Sequence, residues 1–231
     1  MSKKSGWEDL STKVASNEHQ HLSFDFWRTI AFSNPKFKLI RAELILNASL
    51  DKSSIEIVNE AFSEIGKEYN RNMELNNKII APFSLYNKVF QELNVPMNQW
   101  SVLYDNINES FLRYPPVIGD DFENLRSELK KSNASKSITS NTAFVSGELI
   151  KIFLDREGLG DLFSFMLFSD QVKSAKPNKI IFNLITDNLH SRKLYFSGIS
   201  ILHIGDNRNT DYFGAIEAGI YGLKIEDNES R

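Results

Sequence analysis

Apolar residues follow two different spacings along the chain, and the change falls near Pro115-Pro116. His21-Leu-Ser-Phe-Asp-Phe26 reads as a short strand with an acidic residue near its C-terminal end. From about Pro35 to Pro115 the spacing is helical. Leu39, Leu44, Leu46 and Leu50 lead into Ile55, Val58, Phe62 and Ile65, then Phe83, Tyr86, Val89, Phe90 and Leu93. Steps of three and four stack side chains on one helix face. Asp51-Lys-Ser-Ser offers a cap for the second of these helices, and Asn94-Val-Pro96 breaks the pattern.

Beyond Pro116, short apolar runs alternate with helical stretches. Ser137–Ser140, Phe165–Phe168, Ser200–Asp206 and Leu223–Ile225 read as strands. Phe122–Lys131, Leu149–Glu157, Ile180–Leu189 and Tyr212–Ala218 read as helices, the second and last stopped by Gly158 and Gly219. Strands alternating with helices predict a parallel sheet covered on both faces. Such a sheet binds its ligand outside the carboxyl ends of the strands. Asp25, Ser140, Ser169 and Asp206 stand at those ends. The helical stretch departs just after the first of them, so it would lie over the site as a lid.

Composition narrows the chemistry. The 231 residues carry a net charge of −3, with 41% hydrophobic and 25% charged residues. That is ordinary for a folded domain and lacks the basic footprint of a nucleic-acid binder. There is no cysteine, which excludes disulfides, thiolate metal sites and a cysteine nucleophile. No run approaches the ~18 apolar residues of a membrane span. Met1–His21 is polar, without the apolar core of a signal peptide, and Ser2 stands where myristoylation needs glycine. A cytoplasmic protein is expected. Of the four histidines, His19 and His21 lie in the leader, His190 near a helix end and His203 within a strand pattern. A histidine metal cluster is therefore not expected, and His203 reads as a packed side chain.

Four segments, in order, resemble the four motifs of the haloacid dehalogenase superfamily. Ser23-Phe-Asp25-Phe-Trp-Arg-Thr29-Ile is similar to its first motif, and Ile138-Thr-Ser140-Asn141-Thr to its second. Lys176-Pro177 ahead of a helix resembles the third, and Gly205-Asp206-Asn-Arg-Asn-Thr-Asp211 the fourth. The resemblance covers about residues 22–226. It implies an α/β fold: a Rossmann-like doubly wound parallel sheet with an inserted all-helical cap of the C1 type. The implied organisation is a polar leader over 1–21, the core over 22–35 and 116–231, and the cap over 36–115.

The resemblance also implies roles. Asp25 would be the nucleophile that forms an aspartyl-phosphate. Mg²⁺ would be held by Asp25, Asp206 and the Trp27 backbone carbonyl, with Asp211 bracing it from behind. Asp211 read by itself is equally a helix cap. Ser140, Asn141 and Lys176 would contact phosphate, and Thr29 and Lys176 would support the nucleophile. Lys176 read by itself is a solvated lysine; the Lys-Pro step favours the site. The implied partner is a small phosphorylated molecule, with no nucleic acid and no membrane, acted on by a monomer or homodimer.

One position departs from the pattern. Phosphatases of the superfamily carry a second Asp two residues after the nucleophile, where this chain has Trp27, and Arg28 replaces a frequent glycine. A missing general acid costs ~10²–10⁴-fold in rate. Three readings follow. The first is a Mg²⁺-dependent phosphohydrolase with atypical acid/base chemistry, for which Lys36, Lys38, Arg41 and Glu43 are the nearby protic residues. The second is a 2-haloacid dehalogenase, whose halide leaves unprotonated. The third is a phosphate-binding or regulatory module with little turnover. The aromatic residues Phe83, Tyr86, Phe90, Trp100, Tyr104 and Phe111 are expected to pack the cap.

Overall fold

The computed structural model describes residues 6–51, 54–194 and 200–226. Its centre is a five-stranded, all-parallel sheet. The strands are β1 (His21–Phe24), β4 (Ser135–Ser140), β5 (Phe165–Phe168), β6 (Ile201–Gly205) and β7 (Tyr221–Lys224), in the order β5-β4-β1-β6-β7. β1 is central, with His21 level with Ser135 on one side and Ile201 on the other. The chain order reverses beside β1, which is where an open α/β sheet leaves a crevice.

The two faces of the sheet have different chemistry. Leu22, Phe24, Ile138, Leu202 and Ile204 join the main core with Phe122, Leu125 and Leu129 of α6 (Asp120–Lys131) and Ile150, Phe153 and Leu154 of α7 (Gly147–Arg156). On the other face, Phe165, Leu167 and Ile201 pack on Ile181, Phe182, Ile185 and Leu189 of α9 (Lys179–Ser191). Between those apolar edges that face carries His21, Ser23, Ser137, Thr139 and His203, all buried. Asp25 is the next position in the same alternation, so the polar stripe runs up to it.

The polar leader is not without structure. Residues Gly6–Ser16 form α1, which buries Leu10 and Val14 one helical turn apart in the main core. Two apolar positions in a polar stretch are a weak signal, and the helix forms because α6 and β7 give it a surface to pack on.

After β1 the chain turns through β2 (Ala31–Phe32) into α2 (Pro35–Ala48), α3 (Ile55–Asn76), α4 (Pro82–Glu92) and α5 (Trp100–Arg113), and returns through β3 (Val117–Ile118). β2 and β3 pair antiparallel at the neck of this helical segment. Both were hidden in the sequence, since two-residue strands leave no periodicity. Asn34 caps α2 with Pro35 in its first turn. Lys52 and Ser53 of the expected cap lie outside the described residues, and Ser54 caps α3. The buried face of α2 is not the one its leucines suggest. Phe37, Ala42 and Ile45 are buried, Leu44 and Leu46 are only partly buried, Leu39 is exposed, and Leu50, beyond the helix, is exposed as well. Tyr86, Phe90 and Phe111 are buried as expected, whereas Phe83 is partly exposed.

The expected Tyr212–Ala218 helix is a π-helical turn, Arg208–Phe213, running into the single turn α10 (Gly214–Glu217). A further short turn, α8 (Ser169–Val172), follows β5 directly.

Candidate active site

A cleft of about 400 Å³ opens where the helical segment faces the carboxyl ends of β1, β4 and β6. Asp25, Lys176, Asp206 and Asp211 form its floor, and Arg41 of α2 and Met73 of α3 are among the residues facing them. Lys176 is buried, and its Nζ donates to Asp25 Oδ1 at 2.7 Å and to Asp211 Oδ1 at 2.6 Å. Asn141 fixes the backbone of that lysine. Its Nδ2 donates to the Lys176 carbonyl at 2.9 Å, and its Oδ1 accepts from the Lys176 N–H at 2.8 Å. Lys176 is thus not a solvated lysine; burial with two carboxylates holds its charge in place.

Asp211 sits behind the floor. Its Oδ2 accepts from the Asn207 N–H at 2.9 Å, and His203 Nε2 lies 3.2 Å from Oδ1. Gly205 makes room for it, because a Cβ there would collide with the Asp211 carboxylate. An ionised carboxylate only accepts, so His203 carries its proton on Nε2, leaving Nδ1 to face the Ser23 hydroxyl at 3.0 Å. The sequence shows His203 as packed, and it is packed against Phe182. Its hydrogen bond to Asp211 depends on a fold-back of eight residues that no local spacing reveals.

Burial is the main electrostatic influence here. It raises the Asp25 pKa; Lys176 opposes this and Asp211 reinforces it. Asp211 would rise for the same reason, but Lys176 and His203 outweigh burial and hold it well below the usual carboxylate range. For Lys176, burial is outweighed by Asp211 and Asp25, which raise its pKa. Asp206 is pushed up to about 6 by burial and by the charges of Asp25 and Asp211, with Arg28 and Lys176 in opposition.

The structure brings some expected residues together and not others. Asp25, Trp27, Asn141, Lys176, Asp206 and Asp211 line the cleft. Ser140 is fully buried beside Asp25, steadying that carboxylate, and does not reach the cleft wall. Ser169 is also buried and accepts from the Thr142 N–H at 2.9 Å, holding the loop after β4. Thr29 is a correction. Phe26 O accepts the N–H groups of Ile30 and Ala31 in a tight turn, and this carries Thr29 away from the cleft. Its buried Oγ1 has no hydrogen-bond partner, and it borders a separate cavity with Phe32 and Val117. Arg28 was not expected in the site. In the same turn it adopts φ +61° and places Nε 3.3 Å from Asp206 Oδ2.

The residues fit a magnesium ion. Asp25, Asp206 and Asp211 offer carboxylate oxygens within 4.8 Å of one another, the hard donors that Mg²⁺ prefers. Three carboxylates face only two cations, Lys176 and Arg28, and this imbalance adds to burial in raising the Asp206 pKa. With Asp211 engaged on both oxygens, Asp25 and Asp206 are the residues that would hold the ion.

Residues 45–224 match the haloacid dehalogenase-like hydrolase family. The chain belongs to that family. The match begins after Asp25, so β1 lies outside it. Among solved structures, the 2-haloacid dehalogenase of Pseudomonas syringae pv. Tomato DC3000 is 19% identical with a TM-score of 0.61, covering 88% of this chain and 85% of that one. YfnB of Bacillus subtilis, a HAD-hydrolase bound to magnesium, is 18% identical with the same TM-score and coverage. These likenesses share the haloacid dehalogenase-like fold. Pyrimidine 5'-nucleotidase YjjG of Escherichia coli (strain K12) is 33% identical over 72 residues, 31% of this chain and 30% of that relative's length. Among the described residues no helix is long and apolar enough to cross a membrane.

Proposed function

We propose that this haloacid dehalogenase-like hydrolase cleaves small phosphorylated molecules through an aspartyl-phosphate on Asp25. The observation that carries this reading is the contact of Asp25 with Lys176 at 2.7 Å, on a floor shared with Asp206. An Asp25 oxygen attacks phosphorus, the bond to the leaving oxygen breaks, and water then hydrolyses the acyl phosphate. Lys176 offsets the charge that gathers between the carboxylate and the phosphoryl group. Asn141 keeps that lysine on station. Magnesium held by Asp25 and Asp206 would supply further charge neutralisation for the incoming dianion. Trp27 has no acidic proton, so the leaving group departs with its proton from water or needs none. In this reading the enzyme is a cytoplasmic monomer or homodimer that engages neither nucleic acid nor membrane.

The test is phosphate release from p-nitrophenyl phosphate and a panel of esters with Mg²⁺ present. Wild type turns over and Asp25→Asn does not; equal rates for the two would end this reading.

Trp27 favours a second reading, a 2-haloacid dehalogenase, because a departing halide needs no proton. Asp206 weighs against it, since an extra carboxylate repels an anionic substrate unless a cation is held there. Halide release from 2-haloacids in the presence of a chelator would establish it, and its absence would remove it.

A further inference from the structure

Each cation on the floor of the cleft has a carboxylate partner: Lys176 has two, and Arg28 has Asp206. Arg41, on the α2 wall, is different. Among the described residues no carboxylate lies within 4 Å of it, and its Nε is buried with no hydrogen-bond partner. Its guanidinium carbon lies 3.6 Å from the centroid of the Phe62 ring and 5.5 Å from that of Phe37. Burial raises the Tyr86 pKa, and the Arg41 guanidinium, which hydrogen-bonds the phenol oxygen, pulls the other way. Aromatic rings on several sides hold the fork in one plane. A fixed, half-buried guanidinium with an unanswered N–H is built to receive a planar or tetrahedral anion.

Resting on the hydrolase reading above, we infer that Arg41 receives a second anionic group on the substrate. The substrate class is then a small phosphate ester whose leaving group carries a carboxylate or a second phosphate. The transferred phosphate lies against Asp25 and Lys176, and the distal anion reaches across the cleft to α2. The cleft's aromatic wall, Trp27, Phe37 and Phe144, covers the short carbon chain between them. A role in packing alone would explain the stacking on Phe62 but not a guanidinium without a carboxylate partner in the lining of the cleft.

Three esters that differ only at the far end separate the possibilities: propyl phosphate, 3-phosphooxypropionate and propane-1,3-diol bisphosphate. The wild type is expected to prefer one or both of the charged esters. Arg41→Met should raise KM for the preferred ester on the order of 10- to 100-fold, with kcat and the propyl phosphate kinetics little changed. Arg41→Lys keeps charge without the fork and should fall between. Calorimetry with non-hydrolysable 3-phosphonopropionate and 1,3-propanediphosphonate, against propylphosphonate, reads the same subsite without turnover. Charged and uncharged esters handled alike, or equal losses on both in Arg41→Met, would overturn the subsite and leave the hydrolase standing. Arg41-dependent binding of the charged phosphonates without turnover of any ester would do the reverse. Neither turnover nor binding would overturn both.

Discussion

Arg28 occupies a backbone position that favours glycine, and its guanidinium takes the carboxylate a magnesium ion would need. At φ +61° a side chain costs about 1 kcal/mol of local strain. The half-exposed pair with Asp206 returns no more than about 1 kcal/mol. Neither number favours arginine on stability grounds, so its effect belongs to the site. A guanidinium on Asp206 repels an arriving dication and competes for the same oxygen. Arg28→Gly is therefore expected to bind Mn²⁺ roughly tenfold more tightly in calorimetric titration of metal-stripped protein, from Coulomb repulsion across a few ångströms of partly solvated space. An unchanged affinity would show that Arg28 swings clear at no cost. At this scale the sequence was informative where chemistry sits at a strand end. Asp25 and Asp206 could be placed because strand ends converge, and Asn141 and Lys176 through the family motifs they resemble. Arg28 and His203 could not, because each acts through a partner set by tertiary contact; Arg41 was legible as a protic residue near the site, but not its seat on Phe62. Thr29 misled for a related reason: the turn after β1 carries it away from the cleft that its spacing suggests.

The central strands show how polar alternation can mislead at the level of an element. β1 alternates His21, Leu22, Ser23 and Phe24, and Ser135, Ser137 and Thr139 of β4 and His203 of β6 fall on the face of His21 and Ser23, a pattern expected of sheets with one wet face. Here both faces are buried, and the polar residues bond one another. His21 meets Ser135 and Ser137 at 2.8 Å each, and Ser23 lies 3.0 Å from both Thr139 and His203. The strands were legible from their length and flanks; the stripe was not, because its partners lie more than 100 residues apart. Burial, with Lys136 nearby, pushes the His21 pKa down to about 3. Between pH 6.5 and 3 the unfolded chain therefore takes up a proton that the folded strand refuses, and stability falls as pH falls through that window. At pH 5 the cost from this residue is about 2 kcal/mol. His21→Gln should lose about 1 kcal/mol at pH 7 through its altered hydrogen bonds, yet fall less than the wild type between pH 7 and pH 5. Urea midpoints at the two pH values measure the difference. His19 and His203, also held low by burial, leave a residual slope in both proteins. Equal losses in the two would mean that His21 titrates alike in the folded and unfolded chains.

For the whole molecule, the two described ends of the chain meet on the side of the sheet away from α9. α1 lies across α6, where Ser11 Oγ donates to Glu128 at 3.0 Å, and Trp7 Nε1 donates to the Glu226 carbonyl at 3.3 Å. Gly6 permits the close approach, since a Cβ would strike the backbone at Lys224 and Ile225. The helix thus fastens the segment before β1 to the segment after β7 and completes the apolar face of the sheet. The alternation after Pro116 made the parallel sheet legible, and the helical spacing before it made the lid legible. This fastening was not, because Leu10 and Val14 gain meaning only against residues from the far end of the chain. Leu10 is fully buried in the main core, so Leu10→Ala removes its methyl contacts and leaves a cavity worth about 2–4 kcal/mol. Denaturant unfolding should show that loss. The cleft at the carboxyl-end rim of β1 shares no residue with α1, although Trp7 borders a neighbouring cavity with Arg28 and Thr29. Manganese affinity and phosphate release at a temperature where both proteins remain folded should therefore match the wild type. A variant that kept its stability would show that α1 rests on the sheet without supporting it, and one that kept its stability but lost metal would place α1 in the site.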